Sequence, residues 1–218
     1  MGKNPILTKR QEQILGLIAQ DRFLTSTFYF TGGTALSAFY LQHRESVDLD
    51  FFSTKRFDTQ IMITQFKEWG ETLGFELQSE FLGPLFKCFA VFKDGEKIKI
   101  DFSYHPYKQL EDGKNFNLLR IDSLLDIAVN KLLTVTQRNE VKDFVDLYFL
   151  LKKFTVWDLR EGVRIKFNVD LEPFIIASDY IKIEGFEFLP KMYKELKLEE
   201  LKEFFREEAK KLAGENVK

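Results

Sequence analysis

Apolar positions recur at helical spacing near the start of the chain. Ile14, Leu15, Leu17 and Ile18 place a stripe on one side of a helix predicted over residues 8–20. Residues 27–31 read as a short aromatic strand that Gly32 and Gly33 end, and a helix is expected over 34–41. After a polar loop at 42–46, period-two alternation over 47–52 predicts a strand with Val47, Leu49 and Phe51 toward the core. Asp58 caps a long helix that stops near Gly74. Three β-rich runs follow at 75–81, 87–92 and 97–104, the last two joined by the tight-turn pair Asp94-Gly95. From Asp122, expected to cap a helix reaching Gln137, the pattern stays helical: 141–153, 156–165, 171–182 and 197–213. The fold class is therefore α+β, a mixed β-sheet with flanking helices followed by a C-terminal helical bundle. The expected domains are 1–106 and 107–218.

Composition narrows the function classes. The 218 residues are 44% hydrophobic and 30% charged, which excludes disorder as the main state. Phenylalanine occurs 24 times, so the cores are expected to be aromatic-rich. A net charge of −2 excludes a wholly basic nucleic-acid glove but leaves room for a local basic face. Cys88 is the lone cysteine, so neither an internal disulfide nor a cysteine-based zinc site is expected. No apolar run approaches the roughly 20 residues of a membrane span, and residues 1–11 have no apolar signal core. A cytoplasmic protein without a membrane association is expected.

The chemistry concentrates in residues 30–53. Asp48 and Asp50 are two apart on a strand, so both project from one face, opposite apolar neighbours. Aspartate is depleted in strands, and embedding two of them calls for a positive partner. A divalent cation with oxygen ligands is the natural one. In the run 97–104, Ile98, Ile100 and Phe102 share one face, and Lys99, Asp101 and Ser103 the other. If the two strands are neighbours, Asp101 joins the pair, and three carboxylates can hold two Mg²⁺ about 3.5–4 Å apart for in-line phosphoryl displacement. Gly32 and Gly33 allow close backbone approach at a helix start, a cradle for phosphate, with a hydroxyl from Thr34 or Ser37.

Gly-Gly, a helix, Asp-x-Asp on a strand and a single Asp on a later strand resemble the DNA polymerase β-like nucleotidyltransferases. The run His43-Arg44-Glu45-Ser46-Val47-Asp48-Leu49-Asp50-Phe51 resembles the Arg-x-Ser-x-Asp-x-Asp-Phe element of the AbiEii/AbiGii-type toxin nucleotidyltransferases. Lys131, Arg138, Asp143 and Asp146 match that group's later motif in order and spacing. The likeness covers residues 28–152, with Thr34 where the polymerase-type motif often has serine.

The resemblance implies transfer of a nucleoside monophosphate from an NTP to an acceptor. It also implies a toxin of a type IV toxin–antitoxin or abortive-infection system, a cognate antitoxin, and tRNA or another RNA as acceptor. A protein or small-molecule hydroxyl as acceptor, and a non-catalytic nucleotide-binding relative, stay open beside it. Asp48, Asp50 and Asp101 are the expected catalytic residues and ligands of Mg²⁺ or Mn²⁺. Gly32, Gly33, Thr34, Arg44, Ser46, Lys131, Arg138, Asp143 and Asp146 are expected to bind the nucleotide. Asp143 and Asp146, three apart on a helix, either fix Lys131 and Arg138 by ion pairs or contact the nucleotide. His43 reads as a loop residue, and Lys152, Lys153, Arg160, Arg164 and Lys166 as a basic strip for RNA.

Overall fold

The computed structural model describes residues 6–82 and 85–214, with side chains from 6–80 and 85–214. It divides into two units. The first holds residues 1–40, 46–108 and 112–122; the second holds 41–45, 109–111 and 123–218.

The first unit begins with helix α1 (Lys9–Ile18), started by a Thr8–Gln11 capping box. A short helix α2 (Arg22–Thr27), absent from the sequence reading, leads into strand β1 (Tyr29–Thr31). Helix α3 (Gly32–Leu36) starts at the first glycine, two residues earlier than expected, and widens into a π turn over Ser37–Leu41. Strand β2 (Leu49–Ser53) is followed by α4 (Thr59–Leu73), capped by Asp58 and closed by Gly74 in the left-handed conformation, as expected. Strands β3 (Phe75–Leu82), β4 (Leu85–Phe92) and β5 (Lys97–Tyr104) form a meander, with Gly95 at φ +88° in the β4–β5 turn. Two short strands, β6 (Asn115–Phe116) and β7 (Leu119–Ile121), complete the unit.

The sheet order is β3-β4-β5-β2-β1-β7-β6. β2 lies between antiparallel β1 and parallel β5, so the two acid-bearing strands are neighbours. The first unit extends past the expected boundary at 106, because β7 pairs in parallel with β1. Its core is aromatic: Phe28, Phe30, Phe51, Phe66, Phe86 and Phe102 are fully buried, and Phe51 stacks on Phe102 at 4.9 Å.

The second unit contains α5 (Leu124–Gln137), α6 (Val141–Leu150), α7 (Val156–Phe167), α8 (Pro173–Tyr180), a 3₁₀ turn Ile181–Gly185, and α9 (Leu198–Gly214). Ser123, not Asp122, caps α5 by accepting from the Asp126 amide. Asp122 stays with the sheet, where its carboxylate accepts from the Thr31 hydroxyl at 2.8 Å. Phe144, Tyr180 and Phe205 form the aromatic centre of this unit. Among the described residues no helix is long and apolar enough to cross a membrane.

Candidate active site

In the sheet unit the Lys99 ammonium stands between Asp48 and Asp101, and Asp50 is the register partner of Asp101. Asp50 and Asp101 are register partners on β2 and β5, opposite buried Leu49, Phe51, Ile100 and Phe102. Asp48 precedes β2 by one residue. Its approach is fixed by Gln11, whose amide donates to the Val47 carbonyl at 2.9 Å and the Ser46 carbonyl at 3.2 Å. The buried Thr34 hydroxyl donates to the Asp48 carbonyl and pairs with the Ser46 hydroxyl at 2.8 Å, so these two expected nucleotide ligands brace Asp48. Val47 is 57% exposed rather than in the core, because the strand starts only at Leu49.

Lys99 completes the arrangement. Its Nζ lies 2.7 Å from Asp101 Oδ2 and 3.3 Å from Asp48 Oδ2. Partial burial pulls the Lys99 pKa down, but the Asp101 hydrogen bond and the charges of Asp48, Asp101 and Asp50 raise it above the ordinary lysine value. The sequence signal was present: Lys99 stands two before Asp101, on the same strand face. Among the described residues, no three acid, histidine or cysteine side chains stand ready as an ion-holding group, and Lys99 sits between Asp48 and Asp101 instead. The donor set still fits a divalent ion, since all three groups offer hard oxygens. Among the described residues, the buried Asp101 Oδ1 has no hydrogen-bond partner.

Gly32 forms the rim. It takes φ +74°, and a Cβ there would stand 2.3 Å from Asp50 Oδ2. Only a glycine lets the Asp50 carboxylate lie against the backbone at the start of α3. Gly32→Ala is expected to cost about 1–2 kcal/mol for the left-handed backbone and to displace Asp50. Transfer activity should fall far more than the urea midpoint; normal turnover would show that the position of Asp50 is not critical.

The helical unit carries its own charge cluster, built from residues expected to bind nucleotide. Asp146 is fully buried. It accepts from Arg44 Nε and Nη2 and from His43 Nε2, each at 2.7 Å, and pairs with Lys131 Nζ at 2.7 Å. Asp143 pairs with Lys131 Nζ and Arg138 Nε, also at 2.7 Å. Of the two roles open for Asp143 and Asp146, the ion pairs to Lys131 and Arg138 are formed. Arg138 is the half-exposed member, at the edge of the cluster.

Arg44, expected to bind the nucleotide, is instead held by Asp146 in the helical unit. The stretch 41–45 belongs to the helical unit, held by backbone bonds from Glu45 to Lys191 and from Tyr193 and Lys194 to His43. His43 lies outside any helix or strand, as expected of a loop residue, but it is wholly buried, and with Asp146 ionised its Nε2 carries the proton. Burial lowers its pKa below the ordinary 6.5, outweighing Asp146.

The expected basic strip is corrected in part: Lys152 and Lys153 are exposed, but the other three members pair with acids. Lys166 is buried and pairs with Asp126 at 2.6 Å, Arg160 pairs with Asp170, and Arg164 with Glu161. Asp126 further accepts from the Leu110 and Glu111 amides, and nothing in the local sequence marks that pairing. His105 stacks on Phe52 at 4.4 Å. Cys88 is buried, where desolvation pushes its thiol pKa up.

A mixed sheet with a Gly-Gly helix start, acids on adjacent strands and a trailing helical unit defines a nucleotidyltransferase-type fold. The family model described as nucleotidyl transferase AbiEii toxin, type IV TA system, matches residues 14–216, and the chain belongs to that family. The uncharacterized protein aq_aa25 of Aquifex aeolicus strain VF5 is 32% identical over 214 residues, covering 94% of this chain and 96% of its own length. Among solved structures, MenT4, the nucleotidyltransferase toxin Rv2826c from Mycobacterium tuberculosis H37Rv, superposes with a TM-score of 0.61 at 16% identity, covering 94% of this chain and 82% of its own. JHP933 from Helicobacter pylori gives 0.59 at 20% identity, covering 96% and 94%. At these identities the two structures speak for the fold alone.

Proposed function

We propose that the protein transfers a nucleoside monophosphate from an NTP to an acceptor hydroxyl, releasing pyrophosphate. It acts in the cytoplasm as the toxin of a type IV toxin–antitoxin pair, opposed by a cognate antitoxin, and its acceptor is an RNA, the 3′ end of tRNA in particular. The observation that carries this reading is the Asp50 carboxylate seated against Gly32 and registered with Asp101.

Asp48, Asp50 and Asp101 are the residues that would hold Mg²⁺ or Mn²⁺. Bound there, such an ion supplies Lewis-acid stabilisation of charge on the transferring phosphoryl group. Gly32 and Gly33 keep the rim free of side chains, so a triphosphate can approach the backbone. Thr34 and Ser46 act by bracing Asp48. In the helical unit, the half-exposed Arg138 is the proposed phosphate-recognising cation, positioned by Asp143, while Lys131 and Arg44 are held by Asp143 and Asp146 and keep the cluster in place behind it.

One observation favours a second acceptor class. With Arg160, Arg164 and Lys166 engaged by acids, Lys152 and Lys153 are the exposed lysines that residues 152–166 keep for RNA phosphates, a smaller basic surface than an RNA acceptor calls for and one that suits a protein or small-molecule hydroxyl. The test is incubation with each labelled NTP, bulk tRNA and a Mg²⁺ or Mn²⁺ titration, with products resolved by size. Divalent-dependent label in tRNA is expected. Label in protein or small molecules alone would select the second class, and no transfer with any NTP or acceptor would leave a non-catalytic nucleotide-binding relative.

A further inference from the structure

The geometry points to Lys99 as a resident counter-ion that Asp48 and Asp101 release when a divalent ion and a nucleotide arrive together. This deepens the nucleotidyl-transfer reading and rests on it.

The Lys99 ammonium bridges Asp48 and Asp101 at ion-pair distance, where an ion shared by those acids would compete with it. It brings one positive charge to three carboxylates, while the buried Asp101 Oδ1 is left without a hydrogen-bond partner among the described residues. Lys87, the register partner of Asp101 on β4, shares this sheet face, and the three carboxylates still outnumber the two lysines, an excess of negative charge that favours a doubly charged ion. Lys99 is also the kind of group that can leave. Its side chain is 30% exposed, whereas Lys131 is 8% exposed and clamped by two aspartates.

Displacing Lys99 breaks two ion pairs, which a metal ion alone must overcome. A nucleotide arriving with the metal offers phosphate oxygens as new partners for the ammonium. Metal and nucleotide then strengthen one another's binding through this side chain, and the coupling is reciprocal. The device makes metal loading depend on substrate.

Calorimetric titration of Mn²⁺, with and without a non-hydrolysable α,β-methylene NTP analogue, tests this on wild type, Lys99→Met and Lys99→Gln. Both variants are expected to bind Mn²⁺ alone about tenfold tighter than wild type, and the analogue should strengthen Mn²⁺ binding markedly in wild type but little in the variants. In EDTA the variants should also unfold at a lower temperature than wild type, with Mn²⁺ restoring the loss. Equal Mn²⁺ affinity in all three proteins, with wild-type transfer intact, would overturn the role of Lys99 and leave the enzyme reading standing. Absence of Mn²⁺ binding in wild type and variants alike, with and without the analogue, would overturn both. The Gln variant keeps a hydrogen-bond donor without the charge, so a folding defect confined to Lys99→Met does not obscure the result.

Discussion

Asp50→Ala is expected to lower nucleotidyl transfer about a thousandfold or more, because a bound divalent ion supplies several kcal/mol of transition-state stabilisation. Asp50 is the acid most closely held by the fold, between the Gly32 backbone and its register partner Asp101. Folding should survive. Removing one of three neighbouring like charges relieves repulsion, and Lys99 keeps its pairs to Asp48 and Asp101. The stability change at a partly exposed site should stay within about 1 kcal/mol. Steady-state transfer assays beside urea unfolding separate the two effects. Near-wild-type turnover in a folded Asp50→Ala protein would remove the carboxylate cluster from the mechanism.

Asp146→Asn is expected to be the most damaging change to stability, costing about 3–5 kcal/mol, the usual penalty for breaking a buried ion pair from one side. The substitution keeps shape but leaves Arg44 and Lys131 buried with only Asp143 as a buried carboxylate partner. The pH dependence follows from the same residues. Burial alone would push the Asp146 carboxyl up; Lys131, Arg44 and the His43 bond reverse this and hold it well below the ordinary 3.8. Its folded value is thus depressed, so its contribution is complete above the unfolded value and is lost as pH falls through the folded one. His43, lowered from 6.5 chiefly by burial, adds a milder loss as pH falls below that value. Urea midpoints should decline gently below pH 6.5 and steeply below pH 3.8, the steep limb flattening in Asp146→Asn. A variant within about 1 kcal/mol of wild type would show that the cluster contributes little net stability.

Much of the site was legible because strand periodicity is a local property. The alternation around Asp50 and Asp101 assigned both acids to the face opposite Leu49, Phe51, Ile100 and Phe102, and the pairing of β2 with β5 bears this out. Asp58, Gly74 and Asp94-Gly95 were equally readable, since caps and tight turns are decided within a few residues. The short strands β6 and β7 were not: unlike β1 they carry no aromatic run to mark them, and only pairing makes them strands.

Sequence by itself determined which residue types carry the chemistry and how they alternate along each strand and helix. Tertiary structure decided their partners. Arg44 was expected to bind the nucleotide, but it pairs with Asp146, 102 residues away, and Lys166, expected in a basic strip, pairs with Asp126, 40 residues away. Burying a charge is tolerated only where an opposite charge is buried with it, and which two meet depends on how whole elements pack. Lys99 lies between the cases: its face was set by strand period, but its place between Asp48 and Asp101 required β2 to lie beside β5.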